Sequence, residues 1–259
     1  MSSFQATVVG VIPMAGHASR LGGIPFSKEL YPVALSGDRI TVASEHLMRG
    51  MKIAGASQFH LIIRKGKWDI PAYFGSRFED KVPIAYHLRT YGYGVPFTVH
   101  KTYSFIRNNI VLLGFPDIIF KPENAYVKVV EDLMKTDAQV TLGLFPVTNP
   151  SKYDMVELDN HGHVAKISIK PDKTESKFAW IIAAWKPAFS DFLDQYIHRL
   201  FISNTKHELE KMDLHFGEVL IAALDEGVDI SAVQHEEGKC IDLGTLEDLQ
   251  SFNPDKWFS

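Results

Sequence analysis

Cysteine is nearly missing from this chain. Its one thiol, Cys240 in 259 residues, cannot close an intrachain disulfide, and that usage points to a reducing, cytoplasmic setting. Long hydrophobic runs are missing too. No stretch approaches the ~20 apolar residues that span a bilayer, so no membrane partner is expected. The opening residues, MSSFQATVV, lack the basic region, apolar segment and cleavage site of an export signal. Neither sign of charge dominates: 27 Lys and Arg against 31 Asp and Glu leave a net charge of −4, so no basic field invites nucleic acid. Internal repeats, linkers and low-complexity segments are absent as well. What is present, 46% hydrophobic and 22% charged residues, is ordinary for a soluble globular protein. The length suits one α/β domain over residues 1–259.

Strand and helix patterns alternate through the first 149 residues. Val8, Val9, Val11 and Ile12 open as a buried β-branched strand, and further strands are predicted over residues 58–63, 82–88, 110–113 and 138–147. Helices are predicted over 41–54, 68–74, 96–106 and 122–134. The unbroken apolar run at 110–113 suits a central parallel strand covered on both faces. This alternation implies a doubly wound, mostly parallel, Rossmann-like sheet. After Asn149 the pattern changes. Residues 155–158 and 163–169 flank Asp159-Asn160-His161-Gly162, a hairpin turn. A strand at 178–185, helical spacing from Phe189 to Leu200 and from Phe216 to Leu224, strands at 229–233 and 238–243, and a helix opened by Thr245 complete the chain. Residues 1–149 read as a nucleotide-binding half and 150–259 as a substrate half carrying the hairpin.

The first strand runs into a loop of small residues, Ala15, Gly16, Ala18 and Ser19, followed by Arg20 and Lys28. Such a backbone can wrap a phosphate closely, and two cations downstream can neutralise a polyphosphate. On spacing alone, an anion site and a pair of solvated cations are equal alternatives. The loop is neither a Walker loop, since no Gly-Lys-Ser/Thr follows at the required distance, nor the dinucleotide fingerprint, since Ala18 stands at its second Gly.

The stretch Ala15-Gly16-His17-Ala18-Ser19-Arg20-Leu21, then Ser27-Lys28-Glu29-Leu30-Tyr31-Pro32-Val33, resembles the opening signature of the sugar nucleotidyltransferases, of the glucose-1-phosphate thymidylyltransferase-like kind. Ala18 replaces a Gly of that signature and Ser27 a Pro. The closing run Asp242-Leu243-Gly244-Thr245-Leu246-Glu247-Asp248-Leu249 is similar to the family's Asp-x-Gly-Thr-x-x-Asp/Glu-Leu. The resemblance spans residues 8–249 and implies the nucleotide-diphospho-sugar transferase fold. It also implies a reaction: a nucleoside triphosphate and a sugar 1-phosphate give an NDP-sugar and pyrophosphate, with Mg²⁺ as cofactor.

Site residues follow from the same resemblance. Arg20 and Lys28 are the catalytic cations, and Ala15, Gly16, His17 and Ser19 cradle the nucleotide. Tyr91 and Gly94 lie in the place of the base-reading loop, where a tyrosine can stack on a base; a plain Gly-rich turn is the alternative. Asp117, after Gly114-Phe115-Pro116, and Asp242 share the metal; as a turn cap, Asp117 has a structural alternative. Lys170 falls where the family's Glu-Lys-Pro meets the sugar phosphate, but Ile169 replaces the Glu. Asp154 replaces a Gly of the family's Tyr-Gly-Val-Val-Glu beside the sugar. These two departures leave the acceptor open to a non-sugar phosphate such as phosphocholine or an alditol phosphate. A non-catalytic sugar-nucleotide-binding regulatory protein is the other alternative. A homo-oligomer is left open. His161 and His163 have no third metal ligand nearby in sequence.

Overall fold

The computed structural model describes residues 7–17, 24–36, 39–254 and 257. β1 (Val8–Pro13) occupies the middle of a 10-stranded sheet. β2 (Pro32–Ser36) and β3 (Arg39–Val42) form a separate antiparallel pair, and β3 runs directly into α1 (Ala43–Ile53). That explains why the helix expected from residue 41 begins at 43: Thr41 and Val42 are spent in the pair. β4 (Phe59–Ile63), α2 (Asp69–Phe74), β5 (Arg77–Phe78) and β6 (Val82–Leu88) follow.

The single helix predicted over 96–106 is broken into α3 (Val95–His100) and α4 (Tyr103–Ile106). Thr102 causes the break, since both its hydroxyl (2.7 Å) and its N–H (3.0 Å) donate to the Val99 carbonyl, a tighter turn than an α-helix. β7 (Ile110–Gly114) is followed by β8 (Ile118–Lys121), a strand the sequence reading did not separate, then α5 (Ala125–Lys135) and β9 (Val140–Pro146).

The hairpin is present as β10 (Met155–Leu158) and β11 (Val164–Ser168). β12 (Phe178–Trp185) and α6 (Pro187–Ser203) come next. The charged segment after Thr205 folds as α7 (Lys206–Lys211). A capping box between Thr205 and Glu208 starts it, and Leu209 is buried beneath it. α8 (Phe216–Asp225), β13 (Ile230–Gln234), β14 (Lys239–Asp242) and α9 (Leu246–Ser251) close the chain. Thr245 caps α9 as predicted, accepting from the Asp248 N–H.

The sheet runs β11-β10-β12-β7-β1-β4-β6-β5, with β9 on β12 and β13 on β9. Its centre, β7-β1-β4-β6, is parallel. β12 then enters antiparallel to both β7 and β9, so a strand of the second half of the chain lies between two strands of the first. Alternate residues of the central strands feed two cores. Ile12 and Leu112 face α1 and α5, while Val9, Val11, Val111 and Leu113 face α3, α6 and α8. This two-sided burial is why these strands read as continuous apolar runs. A third, smaller cluster joins Val33, Ala43, Ile119, Leu243 and Leu249, fastening the β2–β3 pair and β14 to β8. No helix of the described residues is long and apolar enough to cross a membrane.

Two histidines are buried where β4 meets β6: His60 Nδ1 and His87 Nε2 lie 2.9 Å apart, with the Phe105 ring against both. Burial lowers both rings, with their mutual charge adding at His60, which falls to about 4; His235, buried against Phe145, is likewise lowered to about 4. As pH falls from 6.5 towards 4, the unfolded chain takes up protons that these folded rings refuse. Stability is therefore complete above pH 6.5 and declines across that window, by about 3 kcal/mol for a ring shifted this far. Denaturant unfolding at pH 7 and pH 5 is expected to show a smaller pH-dependent loss for His60→Leu than for wild type. An equal loss in both proteins would remove His60 from the account.

Candidate active site

A cleft of about 540 Å³ opens at the carboxyl ends of β1 and β7, where ligands of open α/β sheets collect. Ala15, Gly16 and His17 leave β1 as one wall, held to the sheet by the Met14 N–H on the Ile62 carbonyl (2.8 Å). A Cβ at Gly16 would lie 3.6 Å from Lys28 Cε, so the loop backbone runs close to that side chain. His17 is surrounded by cations. Its own burial, then Arg64, Arg89 and Lys67, hold its pKa below the usual value, so the ring is neutral at pH 7. Arg20 and Ser19 lie outside the described residues.

Lys28 sits on a short 3-10 turn whose entrance is fixed by Asp69. Ser27 donates to that carboxylate through its N–H (2.6 Å) and its hydroxyl (2.8 Å). The Ser that replaced the family's Pro therefore restrains the turn by hydrogen bonds instead of by a ring. The Lys28 ammonium pairs with Asp117. Burial works against its charge, but Asp117, Glu29 and Asp242 outweigh that and raise its pKa. Beneath it, Lys67 Nζ lies 2.6 Å from each carboxylate oxygen of Glu29, with Glu29 0% and Lys67 4% exposed. Burial pushes the Glu29 carboxyl up and the Lys67 ammonium down, each opposed by the other's charge.

Asp117 and Asp242 are brought together by the β8–β14 ladder. Asp242 is register partner to Ile118, and the Leu243 N–H donates to the Asp117 carbonyl (2.8 Å). Asp242 Oδ1 also accepts from the Gly244 N–H (2.7 Å), so one carboxylate oxygen serves the turn. Cys240, on the same strand, has its thiol pushed up to about 12 by burial and is no nucleophile.

The opposite wall carries Lys170, Asp154, Trp180 and His215. Lys170 has φ +42°, a left-handed conformation costly for a residue with a side chain. Its Nζ lies 3.4 Å from His215 Nδ1. Burial raises the Asp154 carboxyl, opposed by His215, Lys170 and the Trp180 indole. Among the described residues, neither Asp154 Oδ1 nor Trp180 Nε1 makes a hydrogen bond of normal geometry.

Gly94 joins this wall to the first. Its φ is +111°, and a Cβ there would fall 2.3 Å from the Leu214 carbonyl oxygen. That contact, with the Val95 N–H on Leu214 O (3.0 Å), brings Asp213 and His215 to the cleft. Tyr91 does not line the cleft. Its ring stacks on Tyr93 (5.4 Å, 16°), which packs in turn on Phe97, so the aromatic cluster claims it.

Thus Ala15, Gly16, His17, Lys28, Gly94, Asp117, Asp154, Lys170 and Asp242 line one cleft, and Tyr91 does not. Sequence reasoning missed Lys67, Arg89, Trp180, Asp213 and His215. None stands in a motif: Arg89 reaches the cleft from the segment after β6, Trp180 from β12, and Asp213 and His215 from the segment between α7 and α8, while Lys67 lies buried beneath it on Glu29.

The model of the Nucleotidyl transferase family matches residues 9–256. The low-salt glycan biosynthesis nucleotidyltransferase Agl11 of Haloferax volcanii is 25% identical over 248 residues, covering 94% of this chain; the chain spans 64% of that relative's length. Among solved structures, one from Bacillus anthracis described as a glucose-1-phosphate thymidylyltransferase, in complex with sucrose, is similar with TM-score 0.79 and 21% identity, over 95% of this chain and 94% of that one. A UTP-bound UGPase of Acinetobacter baumannii is similar with TM-score 0.74 and 16% identity, over 98% and 93%. At these identities the structures speak to the fold.

The Glu29–Lys67 pair yields a test. Removing one partner strands a buried charge, so Lys67→Met is expected to lower stability by about 3–5 kcal/mol in denaturant unfolding. Adding Glu29→Gln to Lys67→Met is expected to recover most of that loss. A double variant no better than the single one would show that packing, and not the stranded carboxylate, carries the cost.

Proposed function

Because the chain belongs to the nucleotidyl transferase family, we propose that it transfers a nucleotidyl group from a nucleoside triphosphate to a sugar 1-phosphate, releasing pyrophosphate. The observation that carries this reading is one cleft with a lysine on each of two opposite walls. Lys28 stands with Asp117 and Asp242 on one wall, and Lys170 with His215 on the other. Such a site suits two polyanions that must meet end to end. An oxygen of the acceptor phosphate bonds to the α-phosphorus, the bond from that phosphorus to the bridging oxygen breaks, and pyrophosphate leaves with the electron pair. The attacking oxygen is already anionic near neutral pH, so no general base is required. Alignment and charge neutralisation supply the rate.

In this reading Lys28 neutralises the α-phosphate, Arg20 the leaving phosphates and Lys170 the acceptor phosphate, while the loop at Ala15, Gly16 and His17 cradles the nucleotide. Asp117 and Asp242 would hold Mg²⁺. Two hard oxygen donors fastened side by side by the β8–β14 ladder fit that ion, with substrate oxygens and water completing its shell. When bound it supplies positive charge to the nucleotide phosphates. Lys28 already balances these carboxylates in the free protein, which keeps them from repelling each other.

The acceptor's body is read by Asp154 and Trp180. The Asp154 carboxylate is the group that accepts from an acceptor hydroxyl, and the Trp180 indole beside it supports its charge. Ile169 takes the place of the family's Glu and packs near Gly217, so hydroxyl recognition passes to this pair. This favours a polyhydroxylated acceptor, sugar or alditol, over phosphocholine.

Pyrophosphate release from a panel of nucleoside triphosphates and phosphates tests the reading. Lys28→Ala and Arg20→Ala are each expected to lower turnover by roughly 10²-fold or more. Asp117→Asn and Asp242→Asn are each expected nearly to abolish it, and the double variant to cost little more than the worse single one, since the two act as a unit. Near-wild-type turnover in Lys28→Ala, or strictly additive carboxylate losses, would overturn the assignment.

Trp180→Phe keeps the ring and drops the N–H, and Asp154→Asn keeps the shape and drops the charge. Each is expected to raise the acceptor KM about tenfold while the nucleotide KM stays unchanged. A shift in nucleotide KM with constant acceptor KM would place these residues on the wrong substrate.

A further inference from the structure

A second group of chemistry-bearing side chains lies outside the proposed catalytic residues, between α3 and α6. His100 is the last residue of α3. Asp194 and His198 stand four residues apart on α6, one turn along the same helix face. His100 Nε2 lies 2.7 Å from Asp194 Oδ1, and His198 Nδ1 lies 3.3 Å from the same oxygen. The three candidate ligand atoms are all within 4.8 Å of one another. His100 and Asp194 are half-buried, while His198 is exposed and open to solvent.

We propose that His100, Asp194 and His198 form a binding site for a divalent transition-metal cation of the Zn²⁺ type, separate from the carboxylate pair at Asp117 and Asp242. Two imidazoles and one carboxylate make a donor set that suits zinc and its neighbours in the transition series; magnesium prefers oxygen alone. Zinc takes nitrogen and oxygen ligands at about 2.0–2.2 Å in tetrahedral array, which separates neighbouring ligand atoms by ~3.4 Å. The two separations from Asp194 Oδ1, 2.7 and 3.3 Å, lie below that value, and all three atoms are within 4.8 Å of one another. His198 Nδ1 is also 2.8 Å from the Asp194 backbone carbonyl, so occupancy needs that ring to release the carbonyl and the Asp194 carboxylate and His100 to spread, which side-chain rotation supplies. Three protein ligands leave the fourth position to water.

The surroundings support the site. The Tyr103 ring stacks on His100 (6.1 Å, 13°) and orients it. The Tyr103 hydroxyl donates to Asp191 Oδ1 (2.8 Å), and Asp191, one turn before Asp194, adds a second negative charge at the same end of the cluster. In the free protein the His100–Asp194 contact already staples α3 to α6, so a cation would strengthen an existing junction. α3 also runs from Gly94, Val95 and Thr98 at the catalytic cleft to His100 at the cluster. A bound cation would thus hold that wall of the cleft against α6.

The test uses the untagged full chain, stripped of metal and dialysed against Zn²⁺, with bound zinc measured by elemental analysis. Wild type is expected to hold one zinc at this site, retained in Asp117→Asn, in which the cleft carboxylates are impaired. Affinity is expected to fall at least about tenfold in His100→Gln and in His198→Gln, since losing even an outer partner of a ligand costs that much. Zinc is expected to raise the melting temperature of wild type and not of His198→Gln, whereas any effect of magnesium is expected to be the same in both. The metal-free melting temperature of each variant separates lost zinc from lost fold, and His198→Gln leaves the His100–Asp194 contact in place. Undiminished zinc affinity in both histidine variants, or no uptake by wild type at millimolar zinc, would overturn the proposal. Neither result depends on turnover, so the catalytic reading stands or falls apart from it.

Discussion

Lys28 and Asp117, 89 residues apart, meet at the end of the central sheet, and the rest of the cleft is built to hold that meeting. A lone ammonium this deep would lose its proton, and two neighbouring carboxylates without a cation would repel each other. Each charge is tolerable only because the others are present. The supports are specific. Asp69 clamps the turn before Lys28, the Glu29–Lys67 pair lies beneath it, and β14 brings Asp242 alongside Asp117. The third apolar cluster, with Ile119, Leu243 and Leu249, holds that ladder in register. A charged site is thus carried on apolar packing, and apolar packing resists small displacements.

The opposite wall is built differently. Lys170 is held in a left-handed conformation at the end of β11, and Gly94 accepts the Leu214 backbone at a distance no side chain would allow. Strain and close approach of this kind persist only where the surrounding structure imposes them. Here the hairpin and α8 adjoin them, and this wall sets the buried Asp154 carboxylate beside the Trp180 indole. One wall carries close ion pairs, and the other, among the described residues, a carboxylate without a close cationic partner. That asymmetry fits a common chemistry at the phosphates and a variable partner at the far end of the acceptor.

β12 ties the two walls into one body. It comes from the second half of the chain yet lies between β7 and β9 of the first, antiparallel to both. Trp180 at one end of it faces the cleft and Trp185 at the other is fully buried.

Local pattern in the sequence determined much of this protein. Runs such as Ile110–Gly114 and the helical spacing of α5, α6 and α8 follow from periodicity; the opening and closing motifs pointed to Lys28 and Asp242, and the segments between them to Gly94, Asp117 and Lys170, all of which line one cleft. These signals are legible because they are short-range: a strand, a turn and a cap each depend on a few neighbouring residues. The tertiary structure alone decided the antiparallel entry of β12, the break between α3 and α4, and the strand β8. It also decided that Tyr91 belongs to an aromatic stack, that Arg89, Trp180 and His215 reach the cleft, and that Lys67 pairs with Glu29 beneath it. Those outcomes rest on contacts between distant segments. No local pattern encodes which distant partner will satisfy a buried charge or cover an apolar ring, because that is settled by the packing of the whole chain.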